Sequence, residues 1–552
     1  MPHSHSSSFR SSLCCALTLL VIAILIPAAQ GQLLDDTPPN VEVQNAAKQQ
    51  GGSPTENLDQ AESDARASEA AGKLLSGKLI AALMSVMHFL GALTAIHAVM
   101  STRTPQGAIA WAISAVTFPY IAVPAYWVFG RSKFDGYVLF RRSEFLANND
   151  YAQKAGEMLN QNKLLLVPEN PQQESQVRLL NHISNLPVTT RNDAELLIDG
   201  EQTFAAIFAG IAEANDYILV QFYILRDDEL GQRLKNALIE RAHTGVRVYV
   251  LYDELGSNSL SSSYISELHT SGVEIVPFNT TQGTGNTLRL NFRNHRKIVV
   301  VDGQIAYVGG HNVGDEYVGK DPVLSPWRDT HVALRGPIVQ CVQVPFVEDW
   351  HWATGNMLEL AWIPAASPNG NMGAACIPTG PADELETGTL WFLHAINSAL
   401  ERLWIVSPYF VPDSQLLSAL QLAAQRGVDV RILIPQKPDH ILVYLSALSY
   451  LEEAESAGVK IYRYQPGFLH QKVMLIDNHA SAIGTANLDN RSMRLNFEIT
   501  MLVLDKGFAT EVETMLNADF AKSKQINSDE YTKRSLPFRF LVRVARLMAP
   551  VL

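Results

Sequence analysis

The chain has 552 residues, too many for one ordinary core and enough for two or more domains. Hydrophobic residues make up 47% and charged residues 18%, an apolar tilt within the globular range that directs attention to membrane segments. The net charge of −12 disfavours a nucleic-acid binder, and Cys14, Cys15, Cys341 and Cys376 give neither zinc-ligand spacing nor a disulfide framework. In chain order, Leu13 to Ala29 is an apolar run preceded by Arg10 and followed by small residues. It fits a signal peptide or short membrane anchor, residues 1–31. Residues 32–77 are rich in Gln, Asn, Asp, Glu, Ser and Ala, hold little to bury, and read as a disordered linker. Leu79 to Met100 and Ala108 to Phe129 carry no formal charge, and each is long enough to span a bilayer. Trp111, Tyr120, Tyr126 and Trp127 favour an interfacial placement, and Pro119 and Pro124 predict kinks. Residues 78–130 are therefore expected to form a transmembrane helical hairpin.

Residues 131–199 read as a connecting region, after which strands and helices alternate. Tyr217 to Ile224, Val246 to Tyr252 and Val273 to Phe278 are predicted strands, with helices at Glu229 to His243 and Ser262 to Ser271. The order recurs in Leu403 to Phe410, Val428 to Ile434 and Val459 to Tyr464, with helices at Ser414 to Arg426 and before Gly458. The alternation predicts an α/β fold of two homologous halves, 200–378 and 379–528, with mixed sheets around a pseudo-two-fold axis. Ala353 to about Thr379 reads as the connector, and 529–552 as a basic amphipathic tail.

Each half carries one constellation after its last strand. The first is His295, Lys297, Asp302, Gly309 and Asn312; the second is His470, Lys472, Asp477, Gly484 and Asn487, at identical spacing. A lone His-x-Lys means little, but five residues repeated at the same offsets are a strong signal. On a strand through His295, Lys297 and Val299, His and Lys project to one face, while Arg296 and Ile298 point away; the same holds for His470 and Lys472. Asp302-Gly303 and Asp477-Asn478 are predicted turns that bring Gly309 and Gly484 back beside that face, where glycine permits close approach to a ligand. Asn312 and Asn487 could donate to the same ligand. Two ammonium groups suit a phosphodiester in its transition state; one neutral His can attack phosphorus while the other, protonated, serves the leaving alkoxide. No metal or other cofactor is required.

The paired His-x-Lys-x4-Asp motifs resemble the phospholipase D superfamily over roughly residues 200–552. Asn487-Leu488-Asp489-x-Arg491-Ser492, followed by Asn496-Phe497-Glu498, resembles the bacterial cardiolipin synthases within it. So do Trp327-Arg328-Asp329-x-His331 and the hairpin ending Phe129-Gly130-Arg131. The resemblance implies two phospholipase D-like halves, a covalent phospho-His intermediate and a catalytic set of His295, Lys297, Asp302, His470, Lys472 and Asp477. It assigns Asp329 and Glu498 to orient the imidazoles, which leaves Asp302 and Asp477 the more structural of the acids. Gly309, Gly484, Asn312, Asn487 and Thr485 are expected at the substrate; Thr485 stands where the first half has Gly310.

His311, His331, His351 and His394 read as ordinary buried histidines, and Asn279, Asn294 and Asn496 as turn or cap residues. Tyr223 and Tyr409, at similar strand positions, could line the cleft, with core packing the favoured role, while Lys437, Asp439 and His440 lie on a loop where ligand contacts concentrate. The tail, with Lys533, Arg534, Arg539, Arg543 and Arg546 among apolar residues, fits an interfacial helix on anionic lipid. The implied reaction converts two phosphatidylglycerols into cardiolipin and glycerol at a bacterial inner membrane. His295 is taken as the nucleophile and His470 as the acid/base, although the sequence does not order them. The competing readings are a hydrolytic phospholipase D releasing phosphatidic acid and a catalytically inactive lipid-binding scaffold. Arg131, Lys133, Arg141 and Arg142 after the hairpin place the C-terminal part in the cytoplasm. Export of Leu13 to Ala29 would place it outside, and the charge asymmetry is given more weight.

Overall fold

The computed structural model describes residues 54–102, 104–130, 137, 151–278 and 292–552. The expected signal segment 1–31, the linker up to residue 53 and Asn279 lie outside the described residues. The chain divides into two units, Met1–Val86 and Met87–Leu552.

In the first unit the described chain is helical from Pro54, within a helix that ends at Ser101. Residues 54–77, expected as linker, are thus helical. Ala, Glu, Gln, Leu and Lys have little to bury but are strong helix formers, and length offsets the cost of nucleation. Among the described residues one helix, over Gly77–Ser101, is long and apolar enough to cross a membrane.

The second unit begins with the end of that helix, followed by helices Pro105–Thr117 and Pro119–Phe129. The second expected span is therefore broken. Phe118 leaves the helical region (φ −131°, ψ 60°) ahead of Pro119, and a residue before proline is pushed out of it. The two pieces, 13 and 11 residues long, are each shorter than the roughly 20 residues a bilayer needs. They pack on the helix before them. A Cβ on Gly91 would lie 2.2 Å from Ala115 O. His97 Nδ1 meets Tyr126 OH at 2.7 Å, and Trp127 Nε1 donates to Thr94 Oγ1 at 3.3 Å.

Among the described residues the rest of this unit is built on a sixteen-stranded mixed sheet. From one edge run β4 (Glu274–Phe278), β3 (Arg247–Asp253), β2 (Tyr217–Phe222), β6 (Ile298–Val301), β7 (Ile305–Gly309), β9 (Thr330–Arg335) and β1 (Thr189–Ile198). From the other edge, inside β20 (Ser523–Ile526), run β14 (Lys460–Tyr464), β13 (Asp429–Pro435), β11 (Arg402–Val406), β16 (Val473–Ile476), β17 (Ala480–Gly484), β19 (Asn496–Leu504) and β10 (Met372–Thr379). The two series match strand for strand and meet where β1 pairs antiparallel with β10. β1 and β10 fall in segments read from sequence as connectors. Thr189–Ile198 carries Arg191, Asn192, Asp193 and Glu195, and Met372–Thr379 is broken by Gly373 and Pro378. Central position in the sheet overrides those weak strand propensities.

The motif strands are apolar because both their faces are covered. Ile298 and Val300 of β6 enter the same core as Val473 and Leu475 of β16. Their alternate neighbours, Val299 with Val301 and Met474 with Ile476, enter two separate outer cores. That alternation follows the period of two in a strand, and the shared central core binds the two series into one body.

Candidate active site

Short strand exchanges build the site. β5 (Arg293–Asn294) pairs in parallel with Asn496 and Phe497 of β19, while β8 (Trp327–Arg328) pairs with β15 (Phe468–Leu469). A further pair, β12 (Phe410–Val411) with β18 (Leu488–Asp489), holds the loops beside it. Each His follows one of the exchanged strands. His295 N donates to Phe497 O at 2.9 Å and His470 N to Arg328 O at 2.8 Å. The His-x-Lys segments therefore lie between strands rather than on them, because their backbone leaves one pairing before entering the next.

The exchange gives each imidazole a carboxylate from the other series. His295 Nδ1 meets Glu498 Oε2 at 2.8 Å, and His470 Nδ1 meets Asp329 Oδ2 at 2.7 Å. Both carboxylates are buried. With a carboxylate on Nδ1, a neutral ring keeps its proton there and presents the Nε2 lone pair outward. Burial pushes His295 down to about 4, although Glu498 opposes the shift. His470 is pushed down by burial, then by the charges of Lys472, Lys297 and His295. Burial also pushes Lys297 down to about 7 and Lys472 to about 8, and each lysine feels Glu498 and Asp329. Groups of the two motifs thus act on one another within one buried site. Lys297 Nζ donates to His295 O at 2.8 Å and Lys472 Nζ to His470 O at 2.5 Å.

The residue between His and Lys points the other way and anchors the segment. Arg296 Nη1 donates to Asp349 Oδ2 at 2.8 Å, on helix Ile338–Thr354. Gln471 Nε2 donates to Asp519 Oδ2 at 2.8 Å, on helix Lys506–Ala521. Asp519 also takes Arg328 Nε at 2.9 Å and Nη2 at 2.8 Å.

Comparison with known proteins decides the family. The model described as "Cardiolipin synthase, PLD-like domain" matches residues 207–321 and 392–520, and "Phospholipase_D-nuclease N-terminal" matches 89–131. Cardiolipin synthase A of Pseudomonas fluorescens (strain Pf-5) is 48% identical over 473 residues, covering 85% of this chain and 98% of the relative. The same enzyme of Pseudomonas putida (strain GB-1) is 48% identical with the same coverage. The chain belongs to the cardiolipin synthase family. A solved phosphatidylserine synthase from Haemophilus influenzae Rd KW20 covers 68% of the chain and 100% of its own length, at 17% identity and TM-score 0.54. At that identity the likeness is one of fold.

In this cardiolipin synthase family member several residues expected at the substrate have other partners. Asp302 and Asp477 stand at the far ends of β6 and β16. Asp302 accepts from the backbone of Asn215, Asp216 and Tyr217 at 2.7–2.9 Å, and Asp477 from Leu400, Glu401 and Arg402 at 2.8–3.2 Å. These acids, grouped with the catalytic residues by the motif, lock the turn before β2 or β11 and do not reach the imidazoles. Their carboxylates suit three converging N–H groups at a residue with positive φ, 53° at Asp302 and 52° at Asp477. Gly309 and Gly484 accommodate neighbouring strands; a Cβ on either would lie 2.4 Å from a backbone oxygen, of Thr330 or Ile499. Thr485 Oγ1 accepts from Ile499 N at 2.9 Å and donates to Ile499 O at 3.3 Å, so its hydroxyl is taken up by the backbone of β19. Asn312 accepts from Ile224 N at 3.0 Å and donates to Tyr317 OH at 2.9 Å. Asn487 N donates to Ser492 Oγ at 3.0 Å, and its side-chain Oδ1 is buried without a hydrogen-bond partner among the described residues.

Other contributors were given different or secondary roles in the sequence reading. Ser492 Oγ donates to Glu498 Oε1 at 2.8 Å and Asn496 Nδ2 to the same oxygen at 3.1 Å. Tyr223 sets its ring edge against His295 at 5.1 Å between centroids. His311 and His331 meet at 3.0 Å through Nδ1 rather than each taking a carboxylate. Ser492 and Asn496 were legible only as neighbours of Glu498, six and two residues away. Gly310 is the sharpest constraint, since a Cβ there would lie 2.0 Å from Asp329 Oδ1. Gly310→Ala should displace that carboxylate and misalign His470, lowering kcat on the order of 100-fold. Rates in lipid vesicles, with unfolding monitored in parallel, check this.

Proposed function

We propose that the chain is a membrane-anchored phosphatidyltransferase that converts two phosphatidylglycerols into cardiolipin and glycerol through a phospho-histidine. The observation that carries the reading is the reciprocal pairing of His295 with Glu498 and His470 with Asp329 beside Lys297 and Lys472. One imidazole attacks phosphorus through Nε2. The P–O bond to the headgroup breaks as the P–N bond forms, and the second imidazole, which enters the step as the imidazolium beside its carboxylate, gives its Nε2 proton to the leaving glycerol and becomes neutral. The hydroxyl of another phosphatidylglycerol then attacks. Its proton passes to the second imidazole, the P–N bond breaks, and cardiolipin leaves. The lysine ammonium groups stabilise charge on the non-bridging oxygens.

Further parts of the proposal follow the same lines. The matched strand orders, and a family model that matches twice, support two homologous halves around a pseudo-two-fold axis, 200–378 and 379–528. Asp329 and Glu498 orient the rings. Helix Gly77–Ser101 and the two helices after it form a membrane hairpin in the inner membrane, with the catalytic body on the cytoplasmic side. The tail rests on anionic lipid. In support, helix Leu536–Arg546 exposes Leu536, Phe540, Leu541 and Val544, with Arg539 and Arg543 on the same helix.

The test is product analysis of the purified full chain in phosphatidylglycerol vesicles. Cardiolipin with equimolar glycerol is expected; phosphatidic acid alone would mean hydrolysis, and no turnover a lipid-binding scaffold. The pH profile carries its own signature. Acidification protonates His295, near about 4, and removes a lone pair. Alkalinity neutralises Lys297 at about 7 and Lys472 at about 8, and weakens capture of the anion. kcat/KM should therefore form a bell falling on both sides; activity that keeps climbing above neutrality would contradict it.

A further inference from the structure

One carboxylate that the mechanism leaves unused stands on a loop of the second series. β13 ends at Pro435, and four residues on is Asp439; β3 ends at Asp253, and four residues on is Ser257. The two positions correspond but are employed differently. Ser257 is buried, and its hydroxyl accepts from Leu225 N at 2.9 Å and donates to Tyr223 O at 3.1 Å. Asp439 is partly exposed. Its Oδ2 accepts from Tyr409 OH at 2.5 Å and lies 3.8 Å from His440 Nε2. Among the described residues its Oδ1 has no donor.

Two independent attachments hold that loop beside the second motif. The first runs through Tyr409. Phe410 pairs with Leu488, so Tyr409 lies alongside Asn487, the last residue of the motif. Ser407 Oγ ties the two segments together, accepting from Tyr409 N at 3.3 Å and from Leu488 N at 3.0 Å. Ser407, Leu488 and Lys472 line one cavity. The second attachment is Lys437, whose Nζ donates to Val323 O at 3.3 Å. Val323 belongs to the loop that leads into Trp327, and the Trp327 ring stands 5.2 Å from that of His470. Tyr317, 4.7 Å from Trp327 and 6.2 Å from His470, stands against both rings. Burial lowers Lys472, and the charge of Asp439 is among those that oppose it.

A carboxylate oxygen left open beside a reaction centre takes a donor. Lys297 and Lys472 already bring positive charge to the site and disfavour an ammonium there; a neutral hydroxyl meets no such repulsion. We infer that Asp439, held by Tyr409, accepts a hydrogen bond from the middle hydroxyl of the glycerol whose end oxygen reacts at phosphorus. The inference rests on the transferase reading above, with His470 as the imidazole beside the alcohol. The same hydroxyl is present in both steps. In the first it belongs to the glycerol that leaves, and in the second to the headgroup of the acceptor phosphatidylglycerol. In that second step the P–O bond forms as the P–N bond breaks, and the proton of the attacking end hydroxyl goes to His470. The middle O–H stays intact throughout. Asp439 thereby selects the alcohol, because water has no second hydroxyl for it to hold.

The experiment offers three small acceptors to the full-length protein in phosphatidylglycerol vesicles. They are labelled glycerol, trimethylene glycol, which is glycerol without its middle hydroxyl, and ethanolamine, which carries an ammonium in that place. The donor is the same throughout, so the ratio of products reads the acceptor step. Wild type should prefer glycerol to trimethylene glycol by roughly 10- to 100-fold, the worth of one hydrogen bond to a charged group. Asp439→Ala should lower glycerol transfer and cardiolipin formation by about that factor. Transfer to trimethylene glycol should fall far less, so that the two acceptors become nearly equal. Asp439→Asn, which keeps a neutral acceptor, should fall between. Wild type indifferent to the middle hydroxyl would overturn the inference. So would a glycerol preference that survives Asp439→Ala, at any level of total activity, since the residue would then be structural or idle. A wild-type preference for ethanolamine would overturn it in favour of an ammonium. Wild type that modifies no acceptor and makes no cardiolipin would instead overturn the transferase reading itself.

Discussion

Replacement of either His295 or His470 by Ala should abolish cardiolipin formation, each with a loss of at least roughly 10³-fold. The two variants should then part company on an activated substrate. A phosphatidyl ester with a nitrophenol leaving group needs no acid to expel it. The variant that keeps the attacking imidazole should take up one phosphatidyl group and hold it, because no base remains to activate the acceptor. The variant that lacks it should stay unmodified. Intact mass before and after incubation reads the difference and orders the two imidazoles. If neither variant gains mass while wild type turns over, the covalent route is wrong. Burial of both rings and the carboxylate on each Nδ1 make them chemically alike at rest, so the order is set by what happens at phosphorus.

The second large effect concerns folding. Asp349 is fully buried and receives Arg296 Nη1, Gln221 Nε2 and Asn294 Nδ2, each at 2.8 Å, and Tyr137 OH at 3.0 Å. Asp349→Ala leaves a buried guanidinium and three polar groups without their acceptor. The expected cost is about 3–5 kcal/mol, seen as a lower thermal or denaturant midpoint. Arg296→Met with Asp349→Leu should recover much of it, since an apolar pair of similar volume carries no desolvation penalty. A single variant as stable as wild type would show that the network does not hold the motif segment.

Much of the site was legible because chemistry and duplication coincide. His295 and His470 stand at identical offsets from Lys, Asp, Gly and Asn, and that repetition needs no structure to be seen. Other features were hidden for physical reasons. β1 and β10 look like linker because their local preferences are weak, yet they sit at the centre of the sheet. The second apolar run looked continuous by hydropathy, but Pro119 ends a helix whatever the composition. Asp302 and Asp477 travel with the motif in sequence, while the length of a strand carries them to the far end of the hairpin. Thr485 offered a hydroxyl, and its partner became evident only when β19 brought the backbone of Ile499 beside it.

The sequence by itself determined the reactive groups and their duplication, because spacing along one strand and turn is a local property. Tertiary structure alone decided which carboxylate meets which imidazole. Each ring is served from the opposite series through β5 with β19 and β8 with β15, pairings between residues some two hundred or one hundred and forty apart in the chain. Contacts at such separation depend on how the sheet closes, and no local pattern encodes them.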